Sequence, residues 1–149
     1  MDERHQYCTF FLDGFLFGVE VEQVQEVLRF QEMTHVPLAS PVVRGLINLR
    51  GQIVTALDLR RRLALAERPA DQTPMNVVVR TEDGAVSLLV DKIGDILEVT
   101  QDDFEPPPET LTGAVRELVR GACKLDDQLL IILDAGKMVN LNAAGRPAA

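Results

Sequence analysis

The chain reads as short apolar runs closed by turn signals. Residues 7–12 are apolar, Asp13-Gly14 supplies a tight turn, and residues 15–19 return. An Asp-Gly pair between apolar runs offers the positive φ that two-residue hairpins need. The same order recurs as 75–81, Asp83-Gly84 and 85–90, and a further strand is expected over 93–99. Between 21 and 28 the period changes. Val21, Val24 and Val27 or Leu28 recur every three to four residues among Glu22, Gln23, Gln25 and Glu26. That spacing predicts a short amphipathic helix, held by packing. Pro37 and Pro41 mark a loop over 29–42, and residues 64–74 form the clearest linker. Thr100 with Asp103 resembles a helix start, and Pro106-Pro107-Pro108 enforces extended chain. Residues 111–118 fit helix or strand, 137–141 a short helix, and both ends, 1–6 and 142–149, are expected to be flexible.

One stretch is used twice. Residues 43–59 (VRGLINLRGQIVTALDL) and 119–135 (VRGACKLDDQLLIILDA) align without a gap, 76 positions apart, with seven identities in 17. Each predicts a β-hairpin followed by a helical turn, a supersecondary unit repeated in two lobes. Asp58 and Asp134 stand where a strand ends and a helix could start, so each carboxylate can accept from free backbone N–H groups. Gly45 and Gly121 fall early in their strands and suggest a bulge or a close backbone approach. The many short strands favour small barrels or a sandwich.

Composition narrows the function. The 149 residues suit one domain, or two lobes sharing a core, and 46% hydrophobic content suffices to build it. With no tryptophan, one tyrosine and a net charge of −8, the chain is poorly equipped for nucleic acid. The charge is uneven, −1 over residues 1–70 and −7 over 71–149, which predicts a solvated face or one that meets a basic partner. Arg60-Arg61-Arg62 is expected to be solvated surface. Cys8 and Cys123 lack motif spacing, and the charged start carries no secretory signal, so a reduced, cytoplasmic protein is expected.

No catalytic constellation emerges. His5 and His35 lie in a polar start and a proline-bounded loop, and no metal-ligand spacing or glycine-rich phosphate cradle is present. Asp102-Asp103 and Asp126-Asp127 are adjacent in sequence and read as solvated turns. Neither cofactor nor metal is expected.

The ordered set Phe17-Gly18-Val19-Glu20-Val21, Val24-Gln25-Glu26-Val27, residues 45–51 (GLINLRG) and Asp58-Leu59-Arg60 resembles the CheW family of chemotaxis adaptors. Val90-Asp91 with Ile96 and Leu97 resembles its middle strands. The resemblance spans about residues 9–141. It implies a mainly β fold with short helices: two SH3-like five-stranded β-barrels packed on a shared core. It also implies one CheW-like domain over 1–149, with lobes at about 14–66 and 74–141.

The implied role is non-catalytic. Such an adaptor couples the cytoplasmic tip of a chemoreceptor (a methyl-accepting chemotaxis protein) to the regulatory domain of a CheA-type histidine kinase. It inserts in no membrane. Receptor-binding positions carry over to Val24, Glu26, Gly45 and Arg50. Val24 also fits a buried face and Glu26 a solvated one, whereas Gly45, repeated as Gly121, suggests a backbone role. Arg50 is replaced by Asp126 in the second copy, so the hairpin does not require arginine. Arg50 can pair an internal carboxylate such as Asp58 or reach a partner, and an ordered Arg50 shaping the receptor site is expected. Kinase-contact residues are not assigned. The family's ring-contact loop corresponds to 104–112, where Glu105 and Thr110 stand in place of a basic and an aromatic residue. The alternatives are an adaptor of a motility or developmental kinase pathway, or a small-ligand binder or enzyme on the same scaffold.

Overall fold

A computed structural model describes residues 4–37, 39–82, 84–107, 109 and 113–140. Its strands are β1 (Arg4–Leu12), β2 (Phe15–Glu20), β3 (Val24–Leu28), β4 (Val43–Leu49), β5 (Gln52–Asp58), β6 (Met75–Thr81), β7 (Gly84–Val90), β8 (Lys92–Thr100), β9 (Phe104–Glu105), β10 (Val119–Lys124) and β11 (Leu129–Leu133). Short helices are α1 (Leu59–Arg62), α2 (Gly113–Leu118) and α3 (Ala135–Val139), with 3₁₀ turns at Val21–Gln23 and Gln101–Asp103. The expected flexible tail at 142–149 lies outside the described residues.

Two sheets form, ordered β8-β1-β2-β11-β10-β9 and β3-β6-β7-β5-β4. They do not follow a linear split at 64–74. The β1–β2 hairpin joins the sheet built from the second half, and β6–β7 joins the sheet built from the first. Apart from β9, the two orders are equivalent, so the chain is a five-strand unit used twice with its first hairpins exchanged. The exchange threads each half of the chain through both sheets. The core between the sheets mixes Phe10 and Phe17 with Leu57, Val77, Leu88 and Leu133, and each sheet also encloses its own smaller core.

Each sheet curls back on itself. The edges of the first, β8 and β9, are separated only by the 101–103 turn. In the second, Thr34 pairs Leu46 of edge strand β4 through two hydrogen bonds of 2.8 Å. This gives the barrel-like lobes that the family fold implies, with six and five strands in place of five and five.

The repeat is structural. Both hairpins shift register at the same place, between Val43 and Gly45 and between Val119 and Gly121. Asp58 Oδ1 accepts from Arg60 N–H and Asp134 Oδ1 from Lys137 N–H, each at 3.0 Å. Both aspartates therefore cap helices.

The amphipathic helix over 21–28 is not formed. A 3₁₀ turn leads into β3, and the helix-like spacing has another cause. Val24 pairs Val79 and Val27 pairs Val77, with a register shift between Val24 and Glu26. One extra residue in the strand changes its phase. Two valines three apart thereby share the face whose neighbours line the core between the sheets.

Of the three arginines, Arg61 stays at the surface as expected, whereas Arg60 is buried and Arg62 is half-buried. Arg60 is 5% exposed. Arg61 reaches Glu67 and the Pro41 carbonyl, and Arg62 donates to the carbonyls of Lys137 and Met138 at 2.9 Å, across the two units. Arg60 enters a buried ionic clasp at Asp91, on the crossover between the sheets. The Asp91 carboxylate accepts from Arg60 Nε at 2.9 Å and Nη2 at 2.5 Å, from Arg68 Nε at 2.9 Å, and from Asp13 N–H at 2.8 Å. Arg60 also donates to the carbonyls of Ala66 and Glu67 at 3.2 Å, tying down the linker. Burial pushes the Asp91 carboxyl upward, but the hydrogen bonds from Arg60, the Asp13 backbone and Arg68 outweigh it and hold the group below its ordinary value.

Candidate functional site

The turn joining β4 to β5 has positive φ at both central residues, 54° at Arg50 and 86° at Gly51. This is the backbone of a hairpin whose twist matches the strands, and glycine meets the second position without strain. Asn48 Oδ1 accepts from Gly51 N–H at 2.9 Å and braces the tip.

From that tip the Arg50 side chain reaches edge strand β3. Its Nη1 lies 2.7 Å from Glu26 Oε2 and its Nη2 2.5 Å from Oε1. This two-point fork fixes both side chains in direction as well as distance. The hydrogen bond from Arg50 draws the Glu26 carboxyl below its usual value, and the same pairing raises Arg50. Arg50 is 68% exposed at its side chain and Glu26 19%, so the pair lies at the surface.

Arg50 does pair an internal carboxylate, but it is Glu26 and not Asp58, the example considered from the sequence. Asp58 ends β5, six residues from the start of that strand, or about 20 Å at an extended rise. It caps α1 and lies 3.5 Å from Arg44 and 3.9 Å from Arg61 and Arg68.

Val24 is half-buried against the core between the sheets, while Val27, three residues on, is exposed. Val24, Glu26 and Val27 share β3, and the fork joins that strand to Arg50. Gly45 stands apart from them in role. A Cβ there would lie 2.6 Å from the Thr34 carbonyl oxygen and 3.1 Å from Met33 Cβ. Gly121 is used in the same way, since a Cβ there would meet the Phe104 ring and lie 2.6 Å from the Glu105 carbonyl oxygen. Each glycine seats the segment that pairs with its hairpin's outer edge.

The duplicated unit offers an internal comparison. Phe10 and Phe17 occupy the register positions of Val79 and Val86, which places Ile93 opposite Val24, Ile96 opposite Val27 and Asp95 opposite Glu26. The repeat places Asp126 opposite Arg50. Where one unit holds a Glu–Arg fork, the other has two aspartates. The fold is built without the fork, so the fork is a feature of this surface.

Among the described residues, no three His, Cys, Asp or Glu side chains group as metal ligands would, and no helix is long and apolar enough to cross a membrane. Cys8 and Cys123 are buried free thiols.

The chain thus combines two barrel-like lobes that exchange hairpins with a braced charged fork at the surface of one of them. Residues 6–143 match the model of the CheW-like domain, and the chain belongs to the CheW family. It is 30% identical to the chemotaxis protein CheW of Treponema pallidum over 141 residues, 92% of this chain and 83% of that protein. It is 29% identical to the CheW of Bacillus subtilis over 132 residues, covering 89% and 85%. The crystal structure of the scaffolding protein TtCheW from Thermoanaerobacter tengcongensis superposes with a TM-score of 0.83 at 27% identity, over 94% of this chain and 95% of that one.

Proposed function

We propose that this protein is a non-catalytic chemotaxis adaptor in the cytoplasm. It couples the signalling tip of a chemoreceptor to the regulatory domain of a CheA-type histidine kinase. The observation that carries the reading is the Glu26–Arg50 fork. It is exposed, held at two points, and dispensable to the fold, as Asp95 and Asp126 at the equivalent positions indicate. Val27 supplies exposed apolar surface on the same strand, and Val24, packed on the core between the sheets, holds that strand in place. The fork and Val27 together suit a receptor helix that offers an apolar stripe bordered by polar groups. Gly45 contributes indirectly, by seating the segment at Thr34.

Calorimetric titration of the chain with a receptor signalling-tip fragment, and separately with the kinase regulatory domain, tests this. Both bind the wild-type chain. Arg50→Glu sets two carboxylates side by side and lowers receptor affinity by about tenfold or more, as loss of an arginine anchor does. It leaves a cooperative melt, because exposed ion pairs contribute only about 0–1 kcal/mol. Unchanged receptor affinity, or a lost cooperative melt, would overturn the assignment of this face. Glu105, where the family's loop carries a basic residue, lies 4.0 Å from Lys124 and favours a kinase partner outside chemotaxis as the second reading. Binding to such a kinase in place of a chemotaxis kinase would select it.

A further inference from the structure

A bridging adaptor needs two separable surfaces, and the Glu26–Arg50 face accounts for one. A groove of about 400 Å³ opens on the other sheet, where β2 and β11 run parallel. Phe15, Phe17, Leu129 and Ile131 line it, with Leu65 beyond α1 and Val115 from α2. A cavity of about 150 Å³ holds a benzene ring, so this groove has room for more than one large side chain. Phe15 remains 53% exposed at its mouth.

The duplicated unit shows that two of these residues, Phe15 and Ile131, are not required by the fold. By strand register, Gly84 stands where the groove has Phe15, and Thr55 where it has Ile131. The same backbone forms in both units, yet at these two positions one carries phenylalanine and isoleucine and the other glycine and threonine, while Leu129 is matched by the exposed Ile53. A large apolar side chain left exposed in a concave site marks a docking surface. The rim differs as well. Asp126 and Asp127 are exposed at the hairpin tip beside Gln128 and Leu129, where the other unit has Arg50 and Gly51.

We infer that this groove is the docking site for the second protein of the bridge. It receives a segment of that protein that inserts a large apolar side chain and carries lysine or arginine beside it. The apolar lining selects the inserted side chain, and the acidic rim selects the flanking charge. The inference rests on the adaptor reading, and the kinase regulatory domain is the probe.

The full-length chain is titrated with the kinase regulatory domain and with the receptor fragment, as wild type, as Phe15→Glu and as the double variant Asp126→Lys/Asp127→Lys. Phe15→Glu lowers affinity for the kinase domain by about tenfold or more, as removal of a central aromatic does, and leaves receptor affinity unchanged. The lysine variant weakens kinase binding and flattens its dependence on salt. Because Phe15 is exposed, both variants melt as the wild type does. Kinase binding untouched by Phe15→Glu, with receptor binding intact, overturns the groove assignment alone. Failure of the wild-type chain to bind the receptor fragment overturns the adaptor reading instead. Sedimentation of the chain by itself covers the other occupant: a concentration-dependent dimer that Phe15→Glu abolishes would assign the groove to a second copy and overturn the inference.

Discussion

Asp91→Asn lowers the free energy of unfolding by about 3–5 kcal/mol, the range for removing one partner of a buried ion pair. The substitution changes hardly any volume. It removes the carboxylate from between two guanidinium groups whose side chains are 6% and 5% exposed, and leaves Arg60 and Arg68 facing each other across a neutral amide. A domain of this size has roughly 5–15 kcal/mol to lose, so the urea midpoint falls far or folding fails. The effect reaches both sheets, because Asp91 sits on the crossover between them and also accepts from the Asp13 backbone at the β1–β2 turn. Linker residues 64–74 become the first site of proteolysis, as Arg60 and Arg68 lose their anchor. A urea midpoint within error of wild type would show that the clasp carries no net stability.

The same group sets an acid limit. Its folded carboxyl titrates below the ordinary value. The stability it contributes is therefore fully present above the unfolded value of about 3.9 and is lost as pH falls through the lower folded value. Urea midpoints measured between neutral pH and pH 3 follow that course, and the Asn variant lacks this component.

Gly45→Ala destabilises by about 1–3 kcal/mol, as overpacking at a close contact does. The added Cβ would come within 2.6 Å of the Thr34 carbonyl, a backbone atom that moves only with its chain. The two hydrogen bonds between Thr34 and Leu46 stretch or break, and the segment at the β4 edge lifts away. Hydrogen exchange at the Thr34 and Leu46 amides then accelerates before global unfolding. Any receptor-binding defect of the variant follows that loosening, and it diminishes under conditions that restore protection. Full protection at Thr34, together with weakened receptor binding, would make Gly45 a direct contact.

These sites differ in how far they can be read from residues alone. The hairpins were legible because Asp13-Gly14 and the two copies at 43–59 and 119–135 combine apolar runs with local turn chemistry. The helix caps at Asp58 and Asp134 follow from the same local rule. The reading of 21–28 failed because a bulge puts valines three apart on one strand face, imitating the helical period. A register shift depends on the partner strand, and β6 lies some fifty residues away in the chain. The reading of Arg60-Arg61-Arg62 failed in part for a related reason. Three adjacent charges look solvated; Arg61 is, but the fold buries Arg60 against Asp91 and sends Arg62 to the carbonyls of Lys137 and Met138.

Of the candidate site, the residue types were visible and the partnership was not. Glu26, Arg50, Val24 and Gly45 were named through a family resemblance, but Arg50 pairs with Glu26 rather than Asp58. That choice is settled by which strand closes the barrel beside the β4–β5 tip. The apolar groove carried no sequence signal, because Phe15, Leu65, Val115 and Ile131 lie in separate elements and each reads as ordinary core.

By itself the sequence determined a mainly β chain, its hairpin turns, its internal duplication and its family, because these rest on contacts between near neighbours or on motifs in order. Tertiary structure alone decided the exchange of hairpins, the burial of Arg60 against Asp91, the closing fork at Glu26 and the apolar groove. Each of those depends on residues brought together from distant parts of the chain, and the energy of placing a charge or a phenylalanine is set by what the fold puts beside it.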